Sequence, residues 1–166
     1  LEWNKQNFSI PYANTTNDWG LFSWSYSYDL RGLIDLQLIT KNQDLKSEIN
    51  KTIEAFIFTS NKYRNPSLTS LSSNLWAAKK YTTDGSYLDN LDESSLIIYP
   101  MLKALNNNLV DNKYEANVKT IAKELFNFYE TDFNSIDSFY RFKYELSLDG
   151  MVFGSLLISK ISMALF

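Results

Sequence analysis

A chain of 166 residues is within the size of one domain and long enough to bury a core, and 45% hydrophobic against 21% charged residues excludes a disordered composition. A net charge of −3 with no Lys/Arg cluster leaves no electrostatic footprint for nucleic acid. Met151–Phe166, interrupted by Ser155, Ser159, Lys160 and Ser162, is too polar for a membrane span. With neither Cys nor His, thiolate chemistry and the usual general base are excluded, so acid–base work falls to Asp, Glu, Lys or Tyr.

In chain order, residues 1–23 read as an extended polar lead-in, with Pro11 and "NTTNDWG" and no basic-then-apolar leader plan. A helix is predicted near Ser25–Thr40, with Leu30, Leu33, Ile34, Leu36, Leu38 and Ile39 on a broad apolar face. "KNQD" breaks it. Leu45, Ile49, Ile53, Phe56 and Ile57 then recur at a spacing of 3–4, which gives a second, more amphipathic helix and so an antiparallel hairpin. A long connection, Thr59–Tyr87, holds Pro66 and Gly85 and is expected to carry a short helix around Leu71–Lys80.

The pattern then returns. "LDESSLIIYPMLKALNNN" predicts an apolar helix kinked at Pro100, and "DNKYEANVKTIAKELFNFYE" an amphipathic one. Shifted by 69 residues, Leu33, Leu36, Leu45 and Ile49 fall on Leu102, Leu105, Tyr114 and Val118, a weak hairpin repeat. A second connection, Thr131–Tyr144, leads to a third apolar helix from Asp149. The first helix of each pair is the more apolar, as expected where one layer of helices is enclosed by another. No outer partner for the third apolar helix follows, so the expectation is either a fragment or a second chain that supplies the cover.

Each apolar helix opens with an acid: Asp29, Asp92 and Asp149. Capping is the plain reading, since a carboxylate accepts from the free N–H groups of the first turn and suits the positive end of the dipole. Asn90 with Glu93 fits a capping-box-like pattern. Capping does not explain the aromatic loops before those helices, Trp19/Trp24/Tyr26, Trp76/Tyr81/Tyr87 and Phe139/Tyr140/Phe142/Tyr144. Most aromatics are expected in the core. In loops their faces also make platforms for sugar rings.

"W-S-Y" at Trp24–Tyr26 followed by "GLIDLQLITKN" resembles the first hairpin of the six-hairpin (α/α) toroid glycosidases. "SYLDN" (Ser86–Asn90) and "YELSLDGMVFG" (Tyr144–Gly154) resemble the unsaturated glucuronyl and rhamnogalacturonyl hydrolases, which carry "Y-x-L-D-N" and "W-L-D-G-L-Y-M" before their second and third inner helices. Ser147 stands where the family usually has Trp, and the first half of such a toroid is what the chain matches. The endo-α-mannanases, with "D-D-x-x-W-W", are a looser match at Asp92-Glu93, where Leu96-Ile97 replace both aromatics.

The resemblance implies an all-α fold of antiparallel hairpins, about half an (α/α) ring, with 1–166 a single domain belonging to a larger toroid. It implies Asp149 as the acid/base and Asp89 as its partner, with Trp24, Tyr26, Tyr87, Arg141 and Asp92 binding an oligosaccharide that ends in a 4,5-unsaturated uronic acid. Hydration of that enol ether needs no metal or cofactor. Arg31 and Arg64 are further candidates for the uronate carboxylate. The competing expectation is a non-catalytic helical module that binds glycan or protein, with all three acids as caps. Three N-x-S/T matches, at Asn7, Asn14 and Asn50, are compatible with secretion, and a secreted or periplasmic setting is favoured.

Overall fold

The computed structural model describes residues 17–18, 20–63, 72–79, 85–89, 91–134 and 139–140. A π-helical turn, Leu21–Tyr26, runs into α1 (Ser27–Thr40); α2 (Gln43–Thr59), α3 (Leu91–Asn106) and α4 (Asn112–Asp132) follow. Two short antiparallel ladders accompany them: β1 (Ala77–Ala78) with β2 (Leu88–Asp89), and β3 (Phe133–Asn134) with β4 (Phe139–Tyr140). The chain is all-α in character. Among the described residues no helix is long and apolar enough to cross a membrane.

The "KNQD" break is a pair of caps. Lys41 ends α1 in the left-handed region at φ 56°, donating its N–H to the Gln37 carbonyl at 2.8 Å. The Asn42 side chain then accepts the Asp44 N–H at 2.9 Å and starts α2. The starts of α2 and α4 lie 69 residues apart, the same shift as the hydrophobic repeat.

α1 packs on α2 and on α3, α3 on α4, and α2 more lightly on α4, so the two hairpins lie side by side with their apolar helices adjacent. Ile34, Ile49, Ile53, Phe56, Ile97, Met101, Val118 and Ile121 belong to one continuous core. The connection after α3 is stapled to the first hairpin by the buried Asn50 of α2. Its amide N–H₂ donates to the Leu109 carbonyl at 2.8 Å, and its oxygen accepts the Asp111 N–H at 2.7 Å. With both ends of the amide occupied inside the fold, this N-x-S/T match is no glycan acceptor in the folded chain; Asn7 and Asn14 lie outside the described residues.

Three expectations are corrected. Helical structure starts at Leu21, not Ser25, so the last residues of the predicted lead-in are helical. On α1, Leu30 and Ile34 are buried, but Leu36 is exposed and Ile39 is 80% exposed, so the apolar face is broader than the buried one. The described part of Leu71–Lys80 is not helical, because side chains take the N–H groups a helix would use. Asn74 donates to the Glu124 carboxylate at 3.1 Å, Trp76 to Ser94 Oγ at 3.3 Å and Ala77 to Asn61 Oδ1 at 3.0 Å. α3 carries Pro100 within its span, as the sequence pattern led one to expect.

Trp76 is the centre of that connection. It is 0% exposed, its indole N–H donates to Thr59 Oγ1 at 3.2 Å, and its ring meets Phe56 edge-on at 6.4 Å. Phe56 in turn meets Phe22 edge-on, and Phe22 packs on Tyr26, so an aromatic row crosses beneath the starts of α1 and α3. Trp76→Ala is expected to cost about 3–5 kcal/mol in urea unfolding, through the cavity and the lost indole bond. Ile39→Ala should stay within about 0.5 kcal/mol.

Candidate functional site

The starts of α1 and α3 share one end of the molecule, and the connection from α2 crosses it. The group that joins them is Asn17, which is fully buried. Its Oδ1 accepts the Phe22 N–H at 3.0 Å, and its Nδ2 donates to Glu93 Oε2 at 2.5 Å and to Ser23 Oγ at 3.4 Å. Asn17 thus takes up an N–H at the start of the π-helical turn; Asp29 lies in the first turn of α1 as expected, but no side chain caps that helix. Glu93 is 1% exposed, in the first turn of α3, where the dipole favours a negative charge. Asp92 also sits in that turn, but its side chain lies outside the described residues, as does Asn90, the other half of the proposed capping box.

Asp89 ends β2 and is half-buried. Its Oδ1 accepts from Asn61 Nδ2 at 2.5 Å and from Ser73 Oγ at 2.8 Å. Asn61 also donates to Ser73 and accepts the Ala77 N–H, so Asp89 lies in a clasp that fixes the turn after α2 to the β1–β2 ladder. Tyr87 stands nearby in sequence. Its hydroxyl donates to Asp18 Oδ2 at 3.0 Å, and the Lys79 ammonium lies 5.5 Å from its ring centre. Asp18 also accepts the Lys79 backbone N–H at 3.3 Å.

Of the aromatics predicted to form a platform before α1, Trp19 lies outside the described residues, and Tyr26 is buried against Phe22 and serves the core, which removes its ring from the predicted binding surface. Burial, and then the Asp29 charge, raise its phenol above the ordinary value. Trp24 is 47% exposed and stacks with Tyr28, 46% exposed, at 6.4 Å between centres and 20° between planes. Tyr28 is a residue that reading the motifs alone missed. The signal was its i,i+4 spacing from Trp24 on one helix.

Asp29 follows Tyr28. Its Oδ2 is out of solvent without a hydrogen-bond partner, and burial raises its carboxyl above the ordinary range. Arg31 is exposed, with its guanidinium 5.9 Å from the Tyr99 ring centre. Asp149, Arg141 and Arg64 lie outside the described residues.

An open groove of about 370 Å³ lies at the other end, between the starts of α2 and α4, and holds none of the predicted site residues. Lys46, Lys51, Glu54, Asp111, Lys113 and Tyr114 line it. Lys113 lies 4.4 Å from the Tyr114 ring centre, and its interaction with the Tyr114 side chain raises its pKa.

No known family, no curated protein and no solved structure matches the chain.

Asp29 sets a pH dependence. Its native pKa lies above its unfolded one, so the folded chain holds the proton more tightly and stability falls as pH rises between those two values. Above the window the loss is complete and constant. Asp29→Asn should flatten that limb in pH-dependent thermal unfolding and stabilise the protein at pH 7. The gain should be below about 1 kcal/mol, because solvent screens a half-buried carboxylate.

Proposed function

We propose that this chain is carbohydrate-active and binds an oligosaccharide at the end where α1 and α3 begin, with Trp24 and Tyr28 as the stacking surface. The observation that carries this reading is the exposed Trp24–Tyr28 pair, whose planes lie within 20° of each other. Two large aromatic faces held nearly parallel in solvent suit the apolar C–H faces of sugar rings. The side-by-side hairpins, apolar α1 beside apolar α3, support an (α/α) toroid-like arrangement in which those helices are the inner layer. A second chain completing the ring belongs to the same reading.

The chemistry proposed is glycoside hydrolase-like, on unsaturated uronyl oligosaccharides, and rests on the motif resemblance around Asp149. The Asp149 carboxyl protonates C4 of the C4=C5 enol ether; its conjugate base then takes a proton from the water that adds at C5. The resulting C5 hemiketal opens the ring to a ketone, and the hemiacetal this leaves at C1 expels the leaving alcohol as it collapses to an aldehyde. Asp89, fixed by Asn61 and Ser73, supplies a stationary negative charge that favours the protonated form of a neighbouring carboxyl. Tyr87 and Arg141 are the proposed contacts to the uronate. A non-catalytic glycan-binding module is the second reading. It is favoured by the engagement of Asp18, Asp89 and Glu93 in the protein's own hydrogen bonds.

The test is the ultraviolet absorbance of unsaturated uronyl disaccharides. The wild-type chain should abolish it, and Asp149→Asn should slow that loss by at least about 100-fold, the usual worth of a general acid. Trp24→Ala should weaken binding about three- to tenfold. Binding without loss of absorbance would select the module. Neither binding nor loss would overturn the carbohydrate reading.

A further inference from the structure

The backbone at Gly20 shows a close fit around Trp24. Gly20 lies in the left-handed region at φ +67°, and the Trp24 N–H donates to its carbonyl at 2.7 Å. A Cβ on Gly20 would fall 2.3 Å from Trp24 Cδ1, 3.2 Å from Trp24 Nε1 and 3.2 Å from Glu93 Oε1. The pyrrole edge of the indole therefore lies directly on the glycine, and the Glu93 carboxylate reaches the same point from α3. Its other oxygen is tied by Asn17 at 2.5 Å, which limits how far the group can turn.

We propose that Glu93 and Gly20 are positioning residues for Trp24, fixing the orientation of the exposed indole as a ligand platform. The rim of an aromatic ring carries positive charge and its face negative charge. A buried carboxylate beside the N–H edge attracts that edge inward, which leaves the benzo portion and one face directed to solvent. Gly20 contributes by what it lacks: with any side chain the indole edge could not sit there, and the positive φ already disfavours other residues. The same carboxylate has a structural use, since the first turn of α3 favours an acid. That use alone would not require Glu93 to reach the point where the indole edge closes on Gly20.

The ligand half of this inference rests on the carbohydrate reading, whereas the orientation of Trp24 does not. The full chain, labelled with 5-fluorotryptophan, is observed by ¹⁹F NMR, with the Trp24 resonance assigned from Trp24→Phe. Glu93→Gln and Gly20→Ala should each shift that resonance and raise the Kd for an unsaturated uronyl disaccharide about three- to tenfold. Glu124→Gln, which weakens a different, half-buried tie, should lower stability and leave the Trp24 resonance in place. An unmoved Trp24 resonance in either folded variant overturns the proposal. A wild-type chain that ignores the disaccharide overturns the carbohydrate reading, and the shifts alone then decide the role of Glu93 and Gly20.

Discussion

The hydrogen bond between Asn17 and Glu93 is the constraint on which the candidate site depends. A carboxylate withdrawn from water needs compensation, and a neighbouring amide supplies it only if the chain before α1 is held against the start of α3. Asn17 meets that condition and at the same time takes up the Phe22 N–H. One buried amide thus sets the relation between two helices that are remote in sequence. The π-helical turn, the left-handed Gly20 and the position of Trp24 follow from where that amide must lie.

The two ends of the molecule are built on different principles. At one, the α1–α2 connection is two residues long and closes with its own caps, while Asn50 supplies the bonds that the α3–α4 connection lacks. At the other, a long connection has to be held down. Trp76 fills the space between the hairpins, and Asn61, Ser94 and Glu124 take up the N–H groups that it leaves without helix partners. A loop fixed in this way places Tyr87 and Asp89 reproducibly, a requirement for any binding role. The cost is that Asp89 spends part of its hydrogen-bonding capacity on the clasp.

How legible each part was depended on the range of the interaction behind it. The hairpin repeat followed from hydrophobic spacing, and the structure keeps it to the residue at the starts of α2 and α4. Trp24 was legible as an aromatic before an apolar helix. Tyr26, two residues on, looks equivalent in the sequence yet is core, because two residues along a helical turn bring it round to the opposite face. Trp76 sits in a stretch rich in Ser and Asn and reads as a loop aromatic. Its burial depends on Phe56 and Thr59 arriving from α2, which no local pattern announces. Glu93 was legible as a first-turn acid, but its contact with the chain before α1 was not.

The helical class, the alternation of more and less apolar helices and the hairpin breaks were written locally, since all of these arise from residues within a few turns of one another. The sequence also restricted any acid–base chemistry to carboxylates, Lys and Tyr through the absence of Cys and His. Which acids are withdrawn from water, which aromatics are covered and which loop groups hold one another depended on how the helices pack. Those outcomes are set by contacts between residues separated along the chain, from Trp76 with Thr59 to Asn74 with Glu124 and Asn17 with Glu93, whose partners are chosen by packing.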